Sequence, residues 1–170
     1  VRDIGGNPFA VKKAIDAGKF AGPRMLVAGP PLGQSGGHFD LYAYNDVPRD
    51  PSAPLPYLER NGVVAIADGV PDVTRKAREI LRMGAHHIKI AVGGGVTSIY
   101  DPLDVTQYSV EEIEAIVGVA ENWNTYVAAH IFTDKAIQRA IKAGVKTIEH
   151  GNLIMEEETL QMMKDNGVWL

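Results

Sequence analysis

Three side chains carry the reactive chemistry of this sequence: Lys89, His130 and His150. His130 closes the run Tyr126-Val127-Ala128-Ala129-His130, and His150 closes Val145-Lys146-Thr147-Ile148-Glu149-His150. Neutral imidazoles at matching points of two strands are ligands for a divalent metal ion. The sequence has no cysteine, so only histidine, a carboxylate or a modified side chain could share that task. Lys89 lies between Ile88 and Ile90. A lysine in such a place either pairs with a buried carboxylate or gives up its proton. The neutral amine reacts with carbon dioxide, and the resulting carbamate is an anionic, bidentate metal ligand. The plainer alternative for each histidine is a hydrogen-bonded residue at the rim of a core. Spacing alone leaves these alternatives open.

Periodicity shows which elements position these groups. Residues 126–129 form a short apolar run rich in small and β-branched side chains, as in a strand buried on both faces, and the expected strand ends on His130. Thr133 and Asp134 start a helix with Ile137, Ala140 and Ile141 on one face, and Gly144 stops it. Residues 145–149 make the next strand. One βαβ unit therefore brings both histidines to the carboxyl edge of a parallel sheet, where such folds bind ligands. Lys89 belongs to a strand over residues 87–92, whose isoleucines face one layer while the lysine faces the other, the interior of a barrel.

The rest of the chain repeats the pattern. Residues 1–3 read as the end of a strand. A helix follows from an Asn7 cap and Pro8, with Phe9, Val11, Ala14 and Ile15 apolar, and residues 24–28 form another buried strand. Residues 29–58 lose all periodicity and read as a long loop that covers or binds something; His38, in Ser35-Gly36-Gly37-His38, is its most chemical residue. Residues 63–67 suggest a short extended piece. A helix after Asp72 buries Val73, Ala77, Ile80 and Leu81. Gly93-Gly94-Gly95 lacks the spacing of a phosphate-binding loop and suits a tight turn or close backbone approach. Ser109 and Glu112 make a capping box for a helix carrying Ile113, Ile116, Val117 and Ala120. A last helix over residues 156–166 is expected to turn Leu160 and Met163 inward, before a strand begins at residue 168. Strand and helix alternate about five times, the signature of a parallel α/β fold.

With 170 residues and a net charge of -4, the bulk composition excludes little but points away from a nucleic-acid or membrane partner. No apolar run approaches the roughly 20 residues of a membrane helix and no signal-peptide pattern opens the sequence, so the expected location is cytoplasmic.

Taken in order, several motifs resemble the metal-dependent amidohydrolase superfamily, in its prolidase-like and arginine-carboxypeptidase-like, imidazolonepropionase-related branch. They are Val1-Arg2-Asp3-Ile4-Gly5-Gly6, Gly22-Pro23-Arg24, Ser35-Gly36-Gly37-His38, Gly84-Ala85-His86-His87-Ile88-Lys89-Ile90, Gln107-Tyr108-Ser109, Ala128-Ala129-His130 and Ile148-Glu149-His150-Gly151-Asn152-Leu153. The resemblance implies that residues 1–170 are an incomplete (β/α)8 TIM barrel, about strands 2 to 7, interrupted at both ends. It implies two Zn2+ ions in the complete enzyme, with Lys89 carboxylated and bridging both ions and His130 and His150 binding the second. A bridging hydroxide would attack an amide carbonyl. The branch's His-x-His pair is expected upstream of Val1 and its catalytic aspartate beyond Leu170. His38 is a candidate substrate contact. So is Phe132, which stands where many similar sequences have tyrosine and which removes a hydroxyl from the site.

The leading reading is a hydrolase of an amide bond in a dipeptide or an N-acyl or peptidyl amino acid. A second reading is a catalytically incomplete fragment or binding module that folds only with further segments or a partner. A third, a mononuclear deaminase or imidazolone hydrolase, is disfavoured by Lys89, which those relatives generally lack. The expected partner is a small-molecule or peptide substrate. Open strand edges would drive the 170-residue chain, made alone, to self-associate.

Overall fold

The computed structural model describes residues 1–48, 50, 52–98 and 100–170. Its strands are β1 (Leu32–Gly33), β2 (Ala65–Ile66), β3 (Ile88–Ala91), β4 (Val127–Thr133) and β5 (Thr147–Leu153). Its helices are α1 (Phe9–Asp16), α2 (Tyr57–Arg60), α3 (Gly69–Arg82), α4 (Val110–Asn122), α5 (Asp134–Lys142) and α6 (Glu157–Asp165). The sheet order is β2-β1-β3-β4-β5, and every pairing between these strands is parallel. Parallel bridges from Arg2 to Leu26 and from Thr147 to Trp169 carry the sheet further at both sides. No helix among the described residues is long and apolar enough to cross a membrane.

α3, α4 and α5 cover the outer face of the sheet. α3 buries Val73, Ala77, Ile80 and Leu81, and α4 buries Ile113, Ile116, Val117, Val119 and Ala120. These side chains pack with Ile88, Ile90, Val127, Ala129, Ile131 and Ile148 of the strands in one core. The strand residues between them (Lys89, Ala128, His130 and Glu149) therefore face the other way, since successive side chains alternate. The face they share is concave. A flat sheet would hold the Arg2 segment about 19 Å from β5, four strand spacings away. Yet the Arg2 guanidinium donates to Thr147 Oγ1 at 3.1 Å and to Glu149 Oε2 at 2.9 Å. The sheet curls like part of a barrel wall, and this contact spans its hollow.

The capping box forms as its sequence indicates: Ser109 Oγ accepts from Glu112 N–H, and Glu112 Oε2 accepts from Ser109 N–H at 2.8 Å. Such a cap is worth about 1 kcal/mol. The same glutamate accepts from Gly69 N–H at 2.6 Å, so it also fixes the start of α3.

Several boundaries differ from the sequence reading. α3 begins at Gly69, ahead of Asp72, and α1 begins after Pro8 and buries none of its residues. The stretch expected to lack periodicity contains β1, a two-residue strand too short to show any. β4 does not stop at His130 but continues to Thr133, and β5 continues past His150 to Leu153. In α6, Leu160 is 52% exposed, and Thr159 joins Met163 on the buried face instead. The reason lies in α5: Gln138 donates to Thr159 Oγ1 at 2.9 Å, and the Asp134 carboxylate accepts from the Met155 and Glu156 N–H groups. Those bonds set the rotation of the helix, which apolar periodicity alone left open.

Candidate metal centre

β3 delivers Lys89 to the concave face. The side chain is almost entirely buried, and Nζ has no hydrogen-bond partner. Burial brings its ammonium down to about 7; the Glu149 charge opposes that shift and the Arg2 charge reinforces it. The one carboxylate that influences it, Glu149, is already held by Arg2, with Oε1 2.7 Å from the guanidinium. Burial alone would raise the Glu149 carboxyl, but the Lys89 charge and hydrogen bonds from Thr147 and Arg2 hold it below its usual range. Lys89 is thus a buried amine without a hydrogen-bonded acid, and near neutral pH much of it is unprotonated.

His130 sits one strand over, its Cα in register with Ala91. Its ring is buried, and Nε2 lies 2.8 Å from the Gly94 carbonyl oxygen. A carbonyl only accepts, so Nε2 carries the proton and the free lone pair is on Nδ1. Burial holds the imidazolium at about 3, so the ring is neutral under ordinary conditions. The glycine cluster explains this contact: a Cβ on Gly94 would fall on the Pro102 carbonyl oxygen. The close approach anticipated there is of backbone to backbone.

His150 needs a further device. Its Cα is in register with Ile131, which packs in the outer core, so strict alternation would turn the imidazole outward too. The residue instead adopts φ +83°, in the left-handed region that non-glycine residues avoid. That reversal brings its ring to 4.7 Å from His130, centroid to centroid, at 75°. Burial lowers its pKa as well. Phe132 closes the group, edge-on to His130 at 5.0 Å and stacked on His150 at 5.3 Å.

Lys89, His130, His150, His38 and Phe132 all line one cavity of about 590 Å3, together with Ile4, Phe39, Asn152 and other residues. The fold therefore brings together all five side chains singled out from the sequence. Among the described residues no three His, Cys, Asp or Glu side chains group closely enough to hold an ion, and Lys89 is the further side chain of the cavity that could contribute a donor. The donor chemistry fits a divalent cation: two neutral imidazoles, one with its second nitrogen anchored, beside an orphaned amine. The sequence reading missed Arg2, Glu149, Ser98, Asp101 and the Gly94 carbonyl. Their partners lie 36 to 147 residues away, where no local pattern could reveal them.

A curled parallel α/β sheet with imidazoles and a buried lysine lining a cavity at its carboxyl edge has the layout of part of a (β/α)8 barrel. Residues 1–170 match the amidohydrolase family over their whole length, and the chain belongs to that family. Among its relatives, the ochratoxinase of Aspergillus niger is 37% identical over 171 residues, 98% of this chain and 35% of that protein. A prolidase solved with N-methylphosphonate-L-proline superposes with a TM-score of 0.90 at 42% identity, over 99% of this chain and 40% of that one. A Xaa-Pro dipeptidase with methionine bound in its active site gives 0.84 at 34% identity, covering 100% of this chain and 41% of that one. The chain spans well under half the length of these relatives, and its sheet matches part of the amidohydrolase TIM barrel.

Proposed function

We propose that residues 1–170 form the middle strands of a barrel domain that hydrolyses an amide bond of a dipeptide or of an N-acyl or peptidyl amino acid. The observation that carries this reading is the unpartnered Lys89 amine lining the same cavity as the neutral His130 and His150 rings. The family match supports the reaction class, and the named prolidase and Xaa-Pro dipeptidase relatives support the substrate class.

In this reading Lys89, His130 and His150 hold divalent metal, with Zn2+ suited to a site of imidazoles and no thiolates. Bound metal supplies Lewis-acid polarisation of the substrate carbonyl and acidifies water near neutral pH. The residues of the chain do the rest. The neutral Lys89 amine adds to carbon dioxide: its lone pair forms the N–C bond, one N–H proton leaves to solvent, and an anionic carbamate with two oxygen donors remains. His130 offers Nδ1 because the Gly94 carbonyl holds the proton on Nε2. Phe132 stacks on His150 and restrains its ring, and it gives the cavity an apolar wall in place of a hydroxyl donor. His38, stacked on His130 in the same cavity, contacts the substrate.

The test uses the full-length protein carrying this chain. It is expected to retain about two divalent ions per subunit and to hydrolyse members of a dipeptide and N-acyl amino acid panel. Lys89→Ala is expected to lose turnover and bound metal together, along with a carbamate carbon signal from 13C-bicarbonate. Near-normal turnover in Lys89→Ala defeats the proposal. Absence of both metal and hydrolysis in the unaltered protein favours the binding-module reading instead.

A further inference from the structure

One imidazole of the cavity lies outside the proposed ligand set yet is held more tightly than a loop histidine need be. The His38 ring stacks on His130 with 3.9 Å between centroids and 9° between planes. Its Nδ1 lies 2.9 Å from Ser98 Oγ and 3.2 Å from Asp101 Oδ2. The Asp101 side chain is 1% exposed and its Oδ1 has no partner, so this carboxylate is desolvated and bonds the ring through its other oxygen. An ionised carboxylate only accepts, so an unprotonated Nδ1 would set lone pair against lone pair. The proton therefore resides on Nδ1. The same loop shapes the rest of the seat: a Cβ on Gly95 would fall on the Nδ1–Cε1 edge of the ring, and Gln107 Oε1 accepts from His38 N–H at 3.0 Å.

We infer that Asp101, assisted by Ser98, is the positioning residue for His38, locking its ring as the Nδ1–H tautomer over His130 and leaving Nε2 as the acceptor offered to the cavity. The inference rests on the hydrolase reading only for what that acceptor does, which is to take a hydrogen bond from an N–H or O–H group of the substrate as the amide bond breaks. Asp101 itself touches no substrate. A carboxylate orienting an imidazole through the nitrogen remote from the chemistry sets both tautomer and direction, a role familiar from hydrolytic triads.

The test has two independent arms, both on the full-length, metal-loaded protein. Long-range proton–nitrogen correlation spectra of protein labelled with 15N-histidine read the tautomer directly, with the His38 peaks identified by their loss in His38→Gln. The expected pattern for the unaltered protein is a protonated Nδ1 and a bare Nε2; the opposite tautomer overturns the inference whatever any variant does. In Asp101→Asn the Nδ1–H pattern is expected to weaken or vanish, and kcat to fall at least tenfold with KM changed less than threefold. Gly95→Ala, which crowds the ring edge without touching the carboxylate, is expected to move kcat the same way. An Asp101→Asn protein that keeps both the pattern and kcat overturns the inference. A protein without hydrolytic turnover that still shows the Nδ1–H pattern, lost in Asp101→Asn, sinks the hydrolase reading and supports the Asp101–His38 pairing.

Discussion

His150 shows how a single backbone angle assembles the site. With φ at +83° its ring leaves the outer layer, where the register with Ile131 would put it, and joins the concave face beside His130. A Cβ-bearing residue in that region costs about 1 kcal/mol, and glycine does not meet this cost. His150→Gly is therefore expected to unfold in urea at higher concentration than His150→Ala, by about 1 kcal/mol, although both lose the imidazole. Equal midpoints would mean that the position stores no strain. In the proposed hydrolase this strain aims the imidazole at the cavity. Lys89 and His130 need no such device, since ordinary strand alternation already turns them inward.

At the level of elements, the βαβα run from β4 to α6 is tied together by a carboxylate as well as by apolar packing. Asp134, at the start of α5, accepts from Met155 N–H at 2.9 Å and Glu156 N–H at 3.3 Å, joining two helix starts. Burial pushes its carboxyl upward, but hydrogen bonds from Thr159 and those two backbone groups prevail and hold it below the usual range. A carboxyl lowered by folding adds stability above its unfolded pKa of about 4 and loses that contribution as the pH falls through the folded value. Asp134→Asn is accordingly expected to cost about 1–3 kcal/mol near pH 7. The gap to the unaltered protein should narrow in denaturant titrations carried out progressively below pH 4. A gap that stays constant with pH would show that the charge plays no part. The same bonds explain why Thr159, and not Leu160, faces the core. Apolar periodicity located the helix to within a residue at each end, but its rotation was set by polar contacts from α5.

Across the whole molecule, Arg2 and Glu149 link the two sides of the curled sheet through its hollow, and the guanidinium holds the carboxylate whose charge acts on Lys89. Arg2→Met is expected to cost about 1–2 kcal/mol, a range reduced because the arginine is partly exposed. Arg2→Met combined with Glu149→Gln should cost less than the sum of the two single changes by more than about 0.5 kcal/mol; strict additivity would show that the link contributes nothing. The sequence by itself determined the alternation of strands and helices, the buried faces of α3, α4 and α5, the capping box, and the inward position of Lys89. Those features follow from contacts between residues a few positions apart, which periodicity records. Only the tertiary structure decided that Gly94 fixes the tautomer of His130, that Asp101 seats His38, and that Arg2 holds Glu149. Each joins segments tens of residues apart in the chain, and such partners come within reach only once the parallel sheet has curled.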